Sequence, residues 1–463
     1  MPMCRRAVPP VPPMNWRACF GSPLLAVCGL LVLGGASSAL DRVENDPRPD
    51  VQAWAEIAAA HVASGRLTEA TAAYDAALEL DPKHLPARLG RADVQYRRGA
   101  YNAAQSAYAV IADSSPDHPV AHYMLGLMHA RRGATEAAVA AQQAAIAADP
   151  AYAAAHYQLG ALHAGNGDRV AARASLEAAV RLKPHMPEPY YQLARVYRGL
   201  GDPERACAML ERCRIENDRV EAMQRLEETL AAGSPDDRNA ALIGLGLLHI
   251  ERGELDAAEA RLQEAAPEPE AHAGLGRVAL EREQFADAVA SYTRAFDLGF
   301  DAPQARYSVG LALMRVGDGE SAMVHLLAAV EAEPDMAEAH LLIGTLYAAR
   351  RDTPRAVHHY ERAMEMDATD AVARHSLAYL LGREGIDLER AVARAREATR
   401  LQPTTALYHN TLSWLLLKVG DHDGAERAAM RANELSPENE LYQTGLDTIR
   451  RAKNGAGNGR DEP

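Results

Sequence analysis

One glycine-rich stretch could hold a dinucleotide, judged by residue type and spacing. Residues 274–279 read GLGRVA and match the pattern G-x-G-x-x-A, in which glycines let the backbone approach a pyrophosphate. That function requires a β-strand directly before the first glycine. Here both glycines fall inside a predicted helix, so we expect them to serve helix packing and to bind no cofactor.

A second stretch resembles the start of a calcium-binding loop. Residues 421–424 read DHDG, which supplies two carboxylates and a glycine. A calcium loop places further oxygen ligands over twelve residues and ends on a glutamate, and these are missing here. We expect a turn between two helices at this place and no metal.

Histidines recur at two fixed places of a repeating pattern, described below. His122 and His129 are seven residues apart, two helical turns, so one helix could not chelate a metal with both. The zinc-protease spacing HExxH is absent from the sequence. We expect the histidines to replace packed aromatic residues; a metal site and a pH-sensitive core are the alternatives. The nine are His61, His122, His129, His156, His163, His249, His272, His340 and His409.

Two cysteines remain beyond the first forty residues. Cys207 and Cys213 lie six residues apart on one predicted helix, about 9 Å along its axis. That separation is too long for a disulfide within the helix. We expect both to pack as small side chains. With no nucleophile elbow, phosphate loop or triad signature in the sequence, we predict no catalytic residue and no cofactor.

The elements that position all these residues repeat every 34 residues or so. Residues 119–152 read PVAHYMLGLMHARRGATEAAVAAQQAAIAADPAY, and residues 153–186 follow the same plan. Self-similarity at this period is typical of stacked helix–turn–helix units. Glycine or alanine at the eighth position predicts a close helix crossing, and glycine at the fifteenth predicts a left-handed turn. Proline ends most units because it cannot continue a helix.

These positions resemble the tetratricopeptide repeat (TPR) family. The resemblance implies an all-α, right-handed superhelical solenoid of about eleven helix–turn–helix units. We place five repeats in residues 51–220 and six in 239–439, separated by a linker or hinge at 221–238. A capping helix at 440–452 and a disordered tail at 453–463 complete the prediction. The linker is predicted from the loss of repeat phase and from GSP at 233–235.

The first 39 residues are typical of a secretory signal peptide. Three arginines precede a short apolar run at 24–33 and small residues before Leu40. We expect cleavage after Ala39, export to the periplasm or cell exterior, and a polar lead-in at 40–50. An uncleaved inner-membrane anchor through residues 18–36 is the alternative. Met14 is an alternative start, since the residues after it form a complete signal.

The chain is acidic, with a formal net charge of −14. Nucleic-acid binders normally present a basic surface, so this balance argues against nucleic acid and against anionic lipid. After signal cleavage we expect no membrane contact. A protein or peptide is the expected partner.

The TPR resemblance implies a concave groove lined by positions two, five, nine, twelve and thirteen of each first helix. Tyrosines at the fifth position and neighbouring arginines would then contact the partner; the alternative is that the tyrosines only pack between repeats. The family's clamp for acidic C-termini uses lysine at position five and asparagine at position nine, which this chain lacks. The candidate residues are Tyr96, Tyr123, Leu127, Arg131, Tyr157, Tyr191, Arg195, Arg198 and Tyr307.

We therefore expect a non-enzymatic scaffold that binds a partner peptide or helix in this groove. The alternative is a structural subunit of a cell-envelope export or polysaccharide-secretion complex. An enzyme is the third possibility, but no segment outside the repeats is long enough to form a catalytic domain.

Overall fold

The protein is described by a computed structural model, which covers residues 50–233 and 235–458. The predicted signal peptide and nearly all of the lead-in lie outside the described residues. Within them the structure contains 23 helices and no strand. Eleven successive helix pairs and a final helix confirm the predicted all-α repeat fold.

The first ten helices form five pairs along the chain. They are α1 (Val51–Ala63), α2 (Leu67–Leu80), α3 (Leu85–Arg97), α4 (Tyr101–Ser114), α5 (Pro119–Arg131), α6 (Thr135–Ala148), α7 (Ala153–Gly165), α8 (Arg169–Leu182), α9 (Pro187–Gly199) and α10 (Pro203–Ala232). In each pair the odd-numbered helix is the first helix of a repeat.

Thirteen further helices follow. They are α11 (Pro235–Glu251), α12 (Leu255–Glu264), α13 (Pro269–Glu281), α14 (Phe285–Asp297), α15 (Pro303–Val316), α16 (Gly319–Ala332), α17 (Ala337–Ala349), α18 (Thr353–Met366), α19 (Ala371–Glu384), α20 (Leu388–Leu401), α21 (Ala406–Lys418), α22 (His422–Leu435) and α23 (Glu440–Asn458). The last helix extends beyond Ala452, where the sequence analysis ended it.

Glycines allow the helices of a pair to turn and to cross closely. Gly133 and Gly167 have φ angles of 73° and 82°, the left-handed region that other residues resist. At the crossing, a Cβ atom on Gly160 would lie only 2.6 Å from Cγ of the buried Leu176. The same contact at Gly310 would be 2.7 Å from Leu326. Small residues at the eighth position are therefore required by packing, as predicted.

A recurring hydrogen bond ties five of the first helices to the turn before them. The Nε2 atom of His122 lies 2.7 Å from the carbonyl oxygen of Pro116, six residues earlier. Tyr190 makes the same link to Pro184 through its hydroxyl, at 2.8 Å. The other histidines that do so are His156, His340 and His409. Four of the five fourth-position histidines thus donate a hydrogen bond, which the expectation of simple aromatic replacement did not include.

Contacts between repeats join near neighbours in the sequence. The first helix of a repeat packs on its own second helix and on the first helix of the next repeat, as α7 does with α8 and α9. Lys418 Nζ donates to the carbonyl oxygen of Gly382 at 2.7 Å, a separation of 36 residues.

The described residues divide into two compact units, with the boundary between residues 222 and 223. The division falls inside α10, within the segment predicted as a linker. In the second unit, Leu226 of α10 packs on Gly244 of α11, and Leu230 packs on the buried Leu242. Gly233 follows α10 with a φ angle of 72° and is exposed.

We predict that limited proteolysis cuts first near Gly233. An exposed glycine between two helices can adapt to a protease, whereas residues inside packed repeats cannot. Mass spectrometry of early digestion products should find two folded fragments that end near this residue. First cuts inside any repeat, or uniform resistance around Gly233, would contradict a linker here.

Candidate functional site

The predicted contact residues of the second and third repeats form an aromatic and basic cluster. Tyr96 meets Tyr101 edge to face, with ring centroids 5.4 Å apart. The guanidinium of Arg131 lies over the ring of Tyr101, 3.9 Å from its centroid. Burial raises the pKa of Tyr96, and Arg131 opposes that change. The structure thus brings Tyr96 and Arg131 together through Tyr101, which the sequence analysis did not include.

Tyr123 lies beneath this surface. Its side chain is only 5% exposed and packs edge to face on Tyr152, at 5.3 Å between centroids. Burial raises its pKa strongly. Leu127 is half-buried against the same hydrophobic cluster. Neither ring nor hydroxyl of Tyr123 is available to a partner in this arrangement.

Farther along the first unit, the candidate residues are more accessible. Tyr157 is half-buried beside the cluster around Leu176, and Tyr191 is half-buried on α9. Arg195 and Arg198 are exposed on the same helix. Within residues 50–233 and 235–458, neither arginine has a carboxylate within salt-bridge distance; Arg195 donates only to Gln192, at 3.3 Å.

Tyr307 is the one candidate residue in the second unit. It lies on α15 and packs half-buried against the hydrophobic cluster that contains Val309 and Leu346. Burial raises its pKa. Tyr307 occupies the same repeat position as Tyr191, so the spacing of residues in the sequence could not show that their surroundings differ.

A buried ion cluster in the first unit escaped the sequence analysis. Glu216 of α10 is 1% exposed, and its two oxygens receive Arg212, Arg219 and His185 at 3.1, 2.8 and 3.3 Å. His185 lies in the turn before α9, so the cluster fixes that turn against α10. The charged residues around Glu216 are typical of a solvent-exposed helix face. Nothing in the neighbouring sequence indicates that this carboxylate is buried.

Two histidines of the second unit face each other. The Nδ1 atoms of His340 and His359 are 2.9 Å apart, and His359 stacks on Tyr347. The Nε2 atom of His340 must carry hydrogen, because the carbonyl oxygen of Pro334 can only accept. Neutral His340 therefore accepts at Nδ1, and His359 donates. Two protonated rings could not keep this contact.

Burial and the neighbouring histidines lower the pKa of His359 to about 4, and burial lowers the pKa of His340. His358, Arg362 and Asp335 are the other charged or titratable groups acting on the pair. An unfolded histidine takes up its proton near pH 6.5, whereas His359 in the folded chain takes it up only near pH 4. Stability from this pair is therefore complete above pH 6.5 and is lost as the pH falls toward 4.

We predict that the melting temperature falls between pH 7 and pH 5, through a loss of about 1 kcal/mol from this pair after allowance for partial solvent exposure. His359→Phe keeps the stacking on Tyr347 and should flatten that pH dependence. His163→Gln, at a half-buried histidine of α7 away from the pair, is the control and should leave the slope unchanged. Calorimetric scans at several pH values provide the test; an unchanged slope for His359→Phe would assign the effect elsewhere.

The two sequence matches that suggested ligands lie in ordinary helical surroundings. Gly274 and Gly276 are inside α13 and pack on Leu262 and Tyr292. Asp421 caps α22 by accepting from the amide of Gly424 at 2.8 Å. In the described part of the chain there is no group of three or more residues suited to a metal ion. No helix found there combines the length and the apolar character needed to cross a bilayer.

Two family models for the tetratricopeptide repeat match the chain. One matches residues 61–127 and 163–217, and the other matches residues 35–84, 123–187, 273–326 and 310–371. Together the matches cover more than half of the sequence and fall in both units. The regularity seen in the helices is thus that of a known repeat.

Known proteins show similarity over parts of the chain. A TPR repeat-containing protein of Pseudomonas aeruginosa is 40% identical over 93 residues, which are 20% of this chain and 37% of that protein. Among solved structures, YrrB, titled a TPR protein with an unusual peptide-binding site, is 20% identical with a TM-score of 0.36 over 40% of this chain and 95% of its own. Pseudomonas aeruginosa pilF is 21% identical with a TM-score of 0.41, covering 45% and 96%.

Proposed function

The chain belongs to the tetratricopeptide repeat family, and from that premise we propose a non-enzymatic scaffold that is exported and holds a segment of a partner protein. TPR repeats in general mediate interactions between proteins. The proposed contact surface is the face of the first helices in the first unit, from α3 to α9. We call it the tyrosine–arginine face; its accessible members are Tyr96, Arg131, Tyr157, Tyr191, Arg195 and Arg198.

The observation that supports this proposal is the pair of exposed arginines on α9. Arg195 and Arg198 have no carboxylate partner in the described part of a chain whose net charge is −14. Tyrosine and arginine together are the residue types enriched where binding energy concentrates. A partner segment that carries carboxylates beside apolar residues fits this surface.

In this proposal, Tyr123 packs beneath the tyrosine–arginine face and does not contact the partner. Its buried ring holds the positions of neighbouring residues through Tyr152. Replacing Tyr123 would therefore disturb the core, so it does not belong in a test of binding. The informative substitutions are at the accessible residues.

We predict that Arg195→Gln combined with Arg198→Gln reduces partner capture by about tenfold, because two charge-assisted contacts are lost. Capture from an envelope fraction of the source organism, with quantitative mass spectrometry, measures the effect for each recovered protein. Arg181→Gln, at an exposed arginine near the end of α8, is the matched control and should leave capture unchanged. Circular dichroism should show the same helical content for all variants.

Two outcomes would reject the tyrosine–arginine face. Capture by the double variant at the wild-type level would place binding elsewhere. Equal loss with Arg181→Gln would indicate nonspecific attraction to any arginine. Turnover of a substrate by the purified chain would reject the non-enzymatic part of the proposal.

Export rests on the sequence pattern of the first 39 residues. We predict that N-terminal sequencing of the protein isolated from its source organism begins at Leu40. Recovery of the intact N-terminus in membrane pellets would instead support the anchored alternative through residues 18–36.

A further inference from the structure

Three neighbouring helices of the second unit, α19, α21 and α23, expose an aliphatic side chain near their start. Val372 is 45% exposed, Leu407 48% and Leu441 67%, and each is the second residue of its helix. The second residues of α15 and α17 are the polar Gln304 and Glu338. The stacking of these helices therefore does not require an apolar residue at that place.

An aromatic ring follows the aliphatic side chain on two of these helices. Tyr379 comes seven residues after Val372, and Trp414 seven residues after Leu407. Seven residues make about two helical turns, so each ring lies on the same side of its helix as the aliphatic residue. Tyr379 is 48% exposed, and its ring centroid lies 6.1 Å from that of Trp414. The exposed sides of α19 and α21 are therefore adjacent.

The final helix, α23, extends this surface beyond α21. A Cβ atom on Gly445 of α23 would lie 3.8 Å from Oδ1 of Asn410 on α21. Gly445 and Asn410 lie about one turn after Leu441 and Leu407, so the two leucines are at the same level of neighbouring helices. We call this surface the aliphatic–aromatic face; its members are Val372, Tyr379, Leu407, Trp414 and Leu441.

Cations lie at the far end of the aliphatic–aromatic face. Nζ of Lys418 is 4.4 Å from the ring centroid of Trp414 and donates to the carbonyl oxygen of Gly382. Lys418 has no carboxylate within salt-bridge distance in the described part of the chain, whereas Arg383 pairs with Glu384 at 2.8 Å. The surface thus changes along the helices from aliphatic through aromatic to cationic.

We propose that the aliphatic–aromatic face binds a partner segment that carries aliphatic side chains at one end and a carboxylate at the other. Exposed apolar patches with a polar rim are typical of association sites, and tryptophan and tyrosine concentrate binding energy. The ammonium group of Lys418 selects the carboxylate through a charge-assisted hydrogen bond. Leu407 and Lys418 are eleven residues apart, so the two ends of the segment are separated by about 16 Å.

Selection of random twelve-residue peptides on the purified full chain tests this proposal. A parallel selection uses the triple variant Val372→Ser, Leu407→Ser, Leu441→Ser, whose exposed positions leave the fold intact by circular dichroism. We expect the wild type alone to enrich peptides that combine aliphatic and acidic residues. Trp16→Phe with Trp54→Phe leaves Trp414 as the single tryptophan, whose fluorescence then measures peptide affinity. The triple variant should weaken binding by about tenfold or more, and Lys418→Gln by about fivefold.

Val324→Ser is the matched control, since Val324 is an aliphatic residue of α16 that is 66% exposed and lies outside the aliphatic–aromatic face. It should bind the selected peptides as the wild type does, and so should Arg195→Gln with Arg198→Gln. Loss of binding in that arginine variant would place the peptides on the tyrosine–arginine face, which overturns this inference and leaves the proposed function standing. The same peptides from both selections, selected peptides without acidic residues, or no enriched peptide would also overturn it.

Discussion

Replacing Glu216 by alanine is expected to lower the free energy of unfolding by about 3 kcal/mol. The carboxylate is 1% exposed and holds Arg212, Arg219 and His185, so its removal leaves two guanidinium groups and an imidazole without their shared partner. Because these side chains are 39%, 25% and 21% exposed, water can partly replace the carboxylate. The expected loss is therefore at the lower end for a buried ion pair.

Urea denaturation of the full chain, followed by circular dichroism, measures this loss. Glu216→Gln keeps the size of the side chain and removes its charge, so it separates the charge from packing. Glu211→Ala is the control on the same helix, because its ion pair with Arg214 is exposed on both sides. The control should unfold as the wild type does. Wild-type stability of Glu216→Gln would show that the ion cluster contributes little.

Gly344→Val is the second substitution with a large expected effect, a loss of about 3 kcal/mol from overpacking. A Cβ atom on Gly344 would lie 2.8 Å from two ring atoms of Tyr360 and 3.3 Å from the carbonyl oxygen of Ala356. Tyr360 is 3% exposed, and its hydroxyl lies 3.3 Å from Oγ1 of Thr345. The ring has little room to move, so α17 and α18 would have to separate.

Gly165→Ala provides the matched control for a helical glycine. Nothing lies within 4 Å of a Cβ atom placed there, and its φ angle is not positive. Alanine should therefore stabilise the protein, by about 0.5 kcal/mol, through the lower entropy of the unfolded chain. The same denaturation measurement applies to both variants. If Gly165→Ala destabilised the protein as much as Gly344→Val does, the close crossing of two helices would not explain why small residues recur at the eighth position of the repeats.

The helical repeats could be predicted from the sequence because the residues that define them act locally. Gly133, Pro150 and their equivalents act through backbone conformation at their own positions, and these recur at a fixed spacing. The end of α10 was harder to place. Residues 221–232 lose the repeat pattern, yet Leu226 and Leu230 still continue a helix that packs on α11. The spacing of the repeat residues shows where the regular pattern stops. It does not show which surface the continuing helix packs on.

The candidate site was predicted less completely than the fold. Repeat position indicates which face a side chain occupies, but it does not indicate depth. Tyr123 and Tyr191 share one repeat position, yet Tyr123 is covered by Tyr152, the last residue of its repeat, whereas Tyr191 stays half-buried. Tyr101 was missed because it is joined to the candidate residues by contacts with Tyr96 and Arg131, which lie on other helices. Arg212 and Arg219 lie on the same helix as Glu216, but the contact of Glu216 with His185 comes from a turn 31 residues earlier in the chain.

The short reach of the contacts bears on how the chain acquires its structure during synthesis. Side-chain hydrogen bonds between repeats, such as those of His375 with Thr411 and of Lys418 with Gly382, span 36 residues, about one repeat. A repeat on the emerging chain therefore has nearly all of its partners once the next repeat has left the ribosome. Low sequence separation of contacts favours fast folding because little loop entropy is lost before each contact forms. The N-terminal repeats can thus fold in order while the C-terminal ones are still being translated.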